Sequence, residues 1–134
     1  MRLIILVFFN LFCSAVFCQT QAEMNQQAHD DYKKADKELN KIYTKLLYEY
    51  KEDTVFIKNL KVAQNIWIKF RDAELKMKYP EREPGWYGSV HPMCVARYLE
   101  ELTIERIMTL KEWVNGFEEG DSCGGSLKMR KSKR

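Results

Sequence analysis

The chain has 134 residues, 46% of them hydrophobic and 31% charged, with a formal net charge of +3. That length holds one domain of ordinary size and excludes a second full-sized one. With only 6 Gly and 3 Pro, neither a disordered chain nor a loop-rich β protein fits, and the composition is that of a helical globular domain.

Met1-Arg2 is followed by an apolar run from Leu3 to Phe9, then by Leu11-Phe12-Cys13-Ser14-Ala15-Val16-Phe17-Cys18, before polarity begins at Gln19. A charged start and a short apolar stretch make residues 1–18 a signal peptide, with cleavage after Cys18 or after Ala15. The run falls short of the roughly 20 apolar residues a spanning helix needs. The mature protein is therefore expected to be exported, periplasmic or secreted, with no stable membrane span. Loss of Cys13, and of Cys18 if cleavage follows it, leaves Cys94 and Cys123. In an oxidising compartment these two form a candidate disulfide closing a loop of about 30 residues. The alternative is a buried thiol at Cys94 and a thiol in a flexible tail at Cys123.

Thr20-Gln21-Ala22-Glu23 spells a capping box, in which the threonine oxygen and the glutamate satisfy free amides reciprocally. Met24, Ala28, Tyr32, Ala35, Leu39, Ile42, Leu46 and Tyr50 then recur at steps of three and four, which predicts a helix over 20–51. Asp53 is a candidate cap for a second helix over 54–79, whose apolar stripe is Phe56, Leu60, Ala63, Trp67, Phe70 and Met77. So short a connection forces the two helices antiparallel. Pro80 stops the second helix, and Pro80 to His91 is the one substantial loop. Pro92 suits a first helical turn, and Val95, Leu99, Leu102, Arg106, Leu110, Trp113 and Phe117 predict a third helix over 92–118. The fold expected is all-α, an elongated antiparallel three-helix bundle occupying 19–120, followed by a flexible basic tail over 121–134.

Arg106 is the odd member of an apolar stripe. A buried guanidinium requires a carboxylate, so the sequence predicts a structural ion pair with one or more of Asp36, Asp72 and Glu74, which lie near the other stripes.

Catalytic chemistry finds little support. His29-Asp30 has the spelling of a hydrolytic dyad, but no glycine-rich calcium loop or flanking cysteine accompanies it, so His29 is read as a surface residue. His91 beside Pro92 is read as a loop or capping residue, and two distant histidines make no metal site. No nucleophile elbow, zinc-protease motif or phosphate-binding loop occurs. The expectation is a non-enzyme with no catalytic, cofactor-binding or metal residues. Trp86 and Tyr87, between glycines in the long loop, are candidate binding anchors, and Glu81 and Glu83 beside them suit a cationic partner. Against this stands a purely architectural reading, in which Trp86 folds back to plug the end of the bundle. Glu100, Glu101, Glu105 and Glu112 form a solvated helix face.

Thr20-Gln21-Ala22-Glu23-Met24-Asn25, Ala35-Asp36 with Leu39-Asn40, Ala63-Gln64 with Trp67 and Phe70-Arg71-Asp72-Ala73, and Leu102-Thr103 with Arg106, in this order and spacing, resemble the LprI-type lysozyme-inhibitor N-terminal domain family. The resemblance runs from Thr20 to about Trp113. It implies a small exported helical domain of bacterial envelopes, without cofactor or catalytic residues, in a family named for a member that inhibits lysozyme. This chain departs from the family's cysteine pattern, having Gln27, Leu75 and Tyr98 at positions where relatives carry cysteine. If the last two form a helix-to-helix bridge in relatives, Leu75 and Tyr98 are expected to pack together here. The partner implied is lysozyme, its substrate cleft occluded by an acidic or aromatic surface. The alternative is a structural or stress-related envelope protein that contacts another envelope component.

The charge total then takes a different meaning. Of the 22 basic residues, Arg2 lies in the signal and Lys128, Arg130, Lys131, Lys133 and Arg134 in the tail, and of the 19 acidic residues Asp121 lies in the tail, leaving 16 against 18, a body near −2. An acidic body with a basic tail argues against a nucleic-acid-binding fold and leaves room for a basic partner on the body.

Overall fold

The computed structural model describes residues 20–118 and 122–129. The predicted signal peptide with its cleavage positions, and the last basic residues of the tail, lie outside the described residues. Thr20 opens the first helix as its side chain dictates: its Oγ1 accepts from the Glu23 amide at 3.2 Å, and Glu23 Oε2 accepts from the Thr20 amide at 2.8 Å. Helix α1 runs Gln21–Glu49. Asp53 caps the next helix, Oδ1 accepting from the Phe56 amide at 2.9 Å, and α2 runs Thr54–Lys78. Helix α3 runs His91–Asn115 with Pro92 in its first turn, and ends at Gly116 with φ +73°. Among the described residues there is no strand beyond one isolated bridge, Phe117 to Met129. The fold is the predicted all-α bundle.

Pairings along the helices set their directions. Phe56 meets Trp113, ring centroids 5.3 Å apart, Gln64 meets Arg106, and Glu74 meets Tyr98, so α2 and α3 are antiparallel. Asn25 donates to the Ser89 carbonyl at one end and Tyr50 to the Trp113 carbonyl at the other, so α1 and α3 run side by side in the same direction. At about 1.5 Å per residue, the 29 residues of α1 span roughly 43 Å. The α1–α3 pair forms most of the packing. The core gathers Leu39, Ile42, Leu46 and Tyr50 from α1 and its cap, Phe56 and Leu60 from α2, and Ile107 and Leu110 from α3. Thr103 is fully enclosed, and its hydroxyl donates to the Leu99 carbonyl at 2.7 Å, so its burial leaves no unmet hydrogen bond.

Of the stripe predicted for α2, Phe56, Leu60 and Trp67 face inward, whereas Ala63, Phe70 and Met77 are exposed. Phe56 and Leu60 are buried, but the inner row continues through Gln64 and half-buried Trp67, Arg71 and Glu74. Phe70 and Met77, predicted to face the core, are 51% and 70% exposed and share the outer side with Val55, Val62, Ile66 and Ala73. At about 100° per residue, this outer set lies within a single arc of roughly 80°. Two apolar rows compete on α2, and the polar character of Gln64, Arg71 and Glu74 hid the inner one. Ile66→Lys and Phe70→Ser are each expected to change unfolding free energy by less than about 0.5 kcal/mol. A urea melt showing a loss above about 1.5 kcal/mol would mean that this face is covered in solution.

Part of the segment expected as a flexible tail, 122–129, is among the described residues. Residues 122–129 return to the bundle end: the Lys128 carbonyl accepts from Phe117 N–H at 3.1 Å, Lys128 N–H donates to Tyr50 Oη at 3.1 Å, and its ammonium contacts the Glu49 carbonyl and lies 4.6 Å from the Tyr50 ring centroid. Gly124 is buried against the Phe117 ring, and a Cβ there would lie 2.7 Å from a ring carbon. Gly124→Val is therefore expected to release this segment, read as faster proteolytic cleavage within 122–129. Unchanged cleavage would show that the segment is not held.

Candidate binding loop between the second and third helices

The segment joining α2 to α3 is built on an aromatic footing. The amide of Tyr79 closes α2 by donating to the Leu75 carbonyl at 2.8 Å. Tyr87 stacks on His91 at 4.4 Å between centroids, and Tyr79 meets both rings edge-on at 5.7 and 5.2 Å. The Tyr87 hydroxyl donates to the Pro80 carbonyl at 2.8 Å, tying the two sides of the loop together. Two consecutive turns shape its crest, Trp86 N–H donating to the Glu83 carbonyl at 3.1 Å and Gly88 N–H to the Gly85 carbonyl at 3.0 Å. Both glycines sit at positive φ, +85° and +70°, where a side chain is strained.

This frame turns the two adjacent aromatics in opposite directions. Tyr87 is drawn inward, while Trp86 stands 68% exposed with the Arg82 guanidinium 5.7 Å from its ring. The loop does meet the bundle end, but through Tyr87 rather than Trp86. Glu81 and Glu83 are exposed alongside, and the concavity formed by residues 79–88 with His91 has a volume of about 510 Å³. The surface therefore offers one large apolar ring, two free carboxylates and a braced backbone. Sequence reasoning missed Tyr79 and His91 as the braces, although a tyrosine directly before Pro80 and a histidine at the start of α3 were open to that reading.

The predicted ion pair of Arg106 is not what the structure contains. Arg106 Nε donates to the amide oxygen of buried Gln64 at 3.0 Å, and burial holds its guanidinium below the usual arginine range. Asp72 pairs with neighbouring Arg71 at 2.8 Å, Asp36 accepts from Asn40 at 3.1 Å, and Glu74 accepts from the Tyr98 hydroxyl at 3.2 Å. Each expected carboxylate already has a closer donor, and Gln64 holds the place on α2 that faces Arg106. A strict step of four from Leu60 would have found it.

Cys94 and Cys123 are not bridged to each other. Cys94 lies in the first turn of α3, whereas Cys123 lies in the segment packed beyond its other end, and 25 helical residues separate the two ends by roughly 37 Å. Tyr98 meets α2 through the Glu74 carboxylate and the Lys78 ammonium, 3.6 Å from its ring centroid, one residue before and three residues after Leu75. Burial and then the hydrogen bond to Glu74 raise the Tyr98 hydroxyl above its ordinary range. His29 is exposed, and Asp30 accepts from the Gln26 amide at 3.0 Å. Among the described residues, no cluster of His, Cys, Asp or Glu is placed to hold a metal, and no helix is long and apolar enough to cross a membrane.

Comparison with known proteins gives two matches. The family profile described as Lysozyme inhibitor LprI matches residues 13–110. An uncharacterized protein of Rhizobium meliloti is 33% identical over 110 residues, which cover 74% of this chain and 77% of that protein. No solved structure matches.

Proposed function

Since the chain belongs to the LprI lysozyme inhibitor family, we propose that it is an exported, non-enzymatic binding protein that inhibits lysozyme by seating the loop between α2 and α3 in the enzyme's substrate cleft. The observation that carries this reading is Trp86, an exposed indole on a crest whose backbone is fixed by two turns and by the Tyr79–Tyr87–His91 cluster. A rigid aromatic anchor binds well because little ordering entropy is lost on association. Glu81 and Glu83 add negative charge at the rim, which speeds encounter with a basic enzyme and fixes orientation.

The reading is tested with purified protein and several lysozymes in a cell-wall lysis assay. Inhibition that saturates with one inhibitor per enzyme supports it. No inhibition at tens-of-micromolar protein would overturn it and favour contact with another envelope component, for which the exposed row Val62, Ile66, Phe70 and Met77 of α2 is the available apolar face.

A further inference from the structure

A second concavity lies along the seam between α2 and α3, about 430 Å³ in volume and remote from the loop. Its floor is buried Phe56, Leu60 and Leu110, with Trp113 at one end, Arg106 at the other and Ala63 on the α2 rim. Arg106 is the sole charged residue lining it. Among the described residues, only Nε of the five guanidinium N–H donors has an acceptor, Gln64, and no carboxylate answers the charge.

We propose that this groove binds a carboxylate-headed alkyl amphiphile, a medium-chain fatty acid, its head on the terminal nitrogens of Arg106 and its tail laid over Phe56, Leu60 and Leu110 toward Trp113. The planar guanidinium fork matches a carboxylate in geometry, and a half-buried cation beside an apolar floor gains most from a partner that brings its own anion. One positive charge balances one carboxylate, whereas a phosphate monoester would bring charge that no second cation in the lining answers. The buried floor of Phe56, Leu60 and Leu110 offers no side-chain hydrogen-bonding group; the uncharged polar groups of the lining are the exposed Asn59 carboxamide, the exposed Ser126 hydroxyl and the Thr109 hydroxyl, which already donates to the Glu105 carbonyl at 3.1 Å. From Arg106 to Trp113 is two turns of α3, about 10 Å, the reach of a medium-length alkyl chain. The site is separate from the loop and independent of any action on lysozyme.

The experiment titrates the isotope-labelled mature protein with decanoate, decanol and an apolar tetrapeptide bearing a free C-terminus, following amide shifts of Leu60, Ala63 and Thr109 and the Trp113 indole. Decanoate is expected to saturate these shifts at one equivalent and to bind at least about tenfold tighter than decanol. Arg106→Gln removes that difference while leaving decanol binding unchanged. Ala63→Trp, on the exposed rim, abolishes both without touching the guanidinium, so the test holds even if loss of Arg106 perturbs folding. Absence of saturable shifts with decanoate, equal affinity for decanol, or tighter binding of the tetrapeptide would each overturn the proposal.

Discussion

Leu46→Ala is expected to cost the protein about 3 to 5 kcal/mol of unfolding free energy, and to lower its melting temperature by more than roughly 10 °C. Leu46 is fully enclosed near the end of α1, in the cluster where all three helices meet through Tyr50, Phe56 and Leu110. Removing its side chain forfeits the transfer free energy of the lost methyl groups and leaves a cavity that long helices cannot collapse around. Partly buried Leu47, one residue on, packs at the edge of the same cluster and is expected to cost about half as much when truncated. Chemical denaturation of both variants checks the ordering. A loss below about 1 kcal/mol at Leu46 would place the stabilising core elsewhere.

Trp86→Ala is expected to weaken lysozyme inhibition by at least about 30-fold, or 2 kcal/mol, while shifting the melting temperature little. Among the described residues the indole N–H has no acceptor, and the ring stands in solvent beside Arg82, so its removal takes away contact area without disturbing the fold. Tyr87→Phe isolates the complementary effect. It deletes the 2.8 Å hydrogen bond to Pro80, leaves the ring stack on His91, and is expected to speed dissociation by letting the crest move. Glu81→Gln with Glu83→Gln acts on encounter, lowering the association rate and its salt dependence while the dissociation rate stays nearly constant. If Trp86→Ala inhibits as well as the parent, the loop is not the inhibitory surface.

The elements were legible because local signals agreed with tertiary packing. The Thr20 box, the Asp53 cap and Pro92 mark helix starts that owe nothing to distant contacts, and each helix begins within a residue of where those signals put it. The inner face of α2 was not legible, since Phe70 and Met77 continue an apolar row as plausibly as Gln64 and Arg71 interrupt one, and which row faces inward is settled by α1 and α3. The partner of Arg106 went astray for a related reason: a neutral amide satisfies one donor of a half-buried guanidinium, and charge alone does not reveal it. Trp86 and Tyr87 were both visible as candidates. Their division of labour depends on Tyr79 and His91, which approach from separate helix ends only once the chain is folded.

Amide hydrogen exchange of the protein with and without saturating lysozyme tests the central claim most directly, since it reports where the enzyme sits without altering either partner. Slowed exchange concentrated in the loop of residues 80–90, with the outer face of α2 and the 122–129 segment unchanged, is the result predicted. Protection along α2 or the C-terminal segment while the loop exchanges as in the free protein, or no protection anywhere, would contradict it.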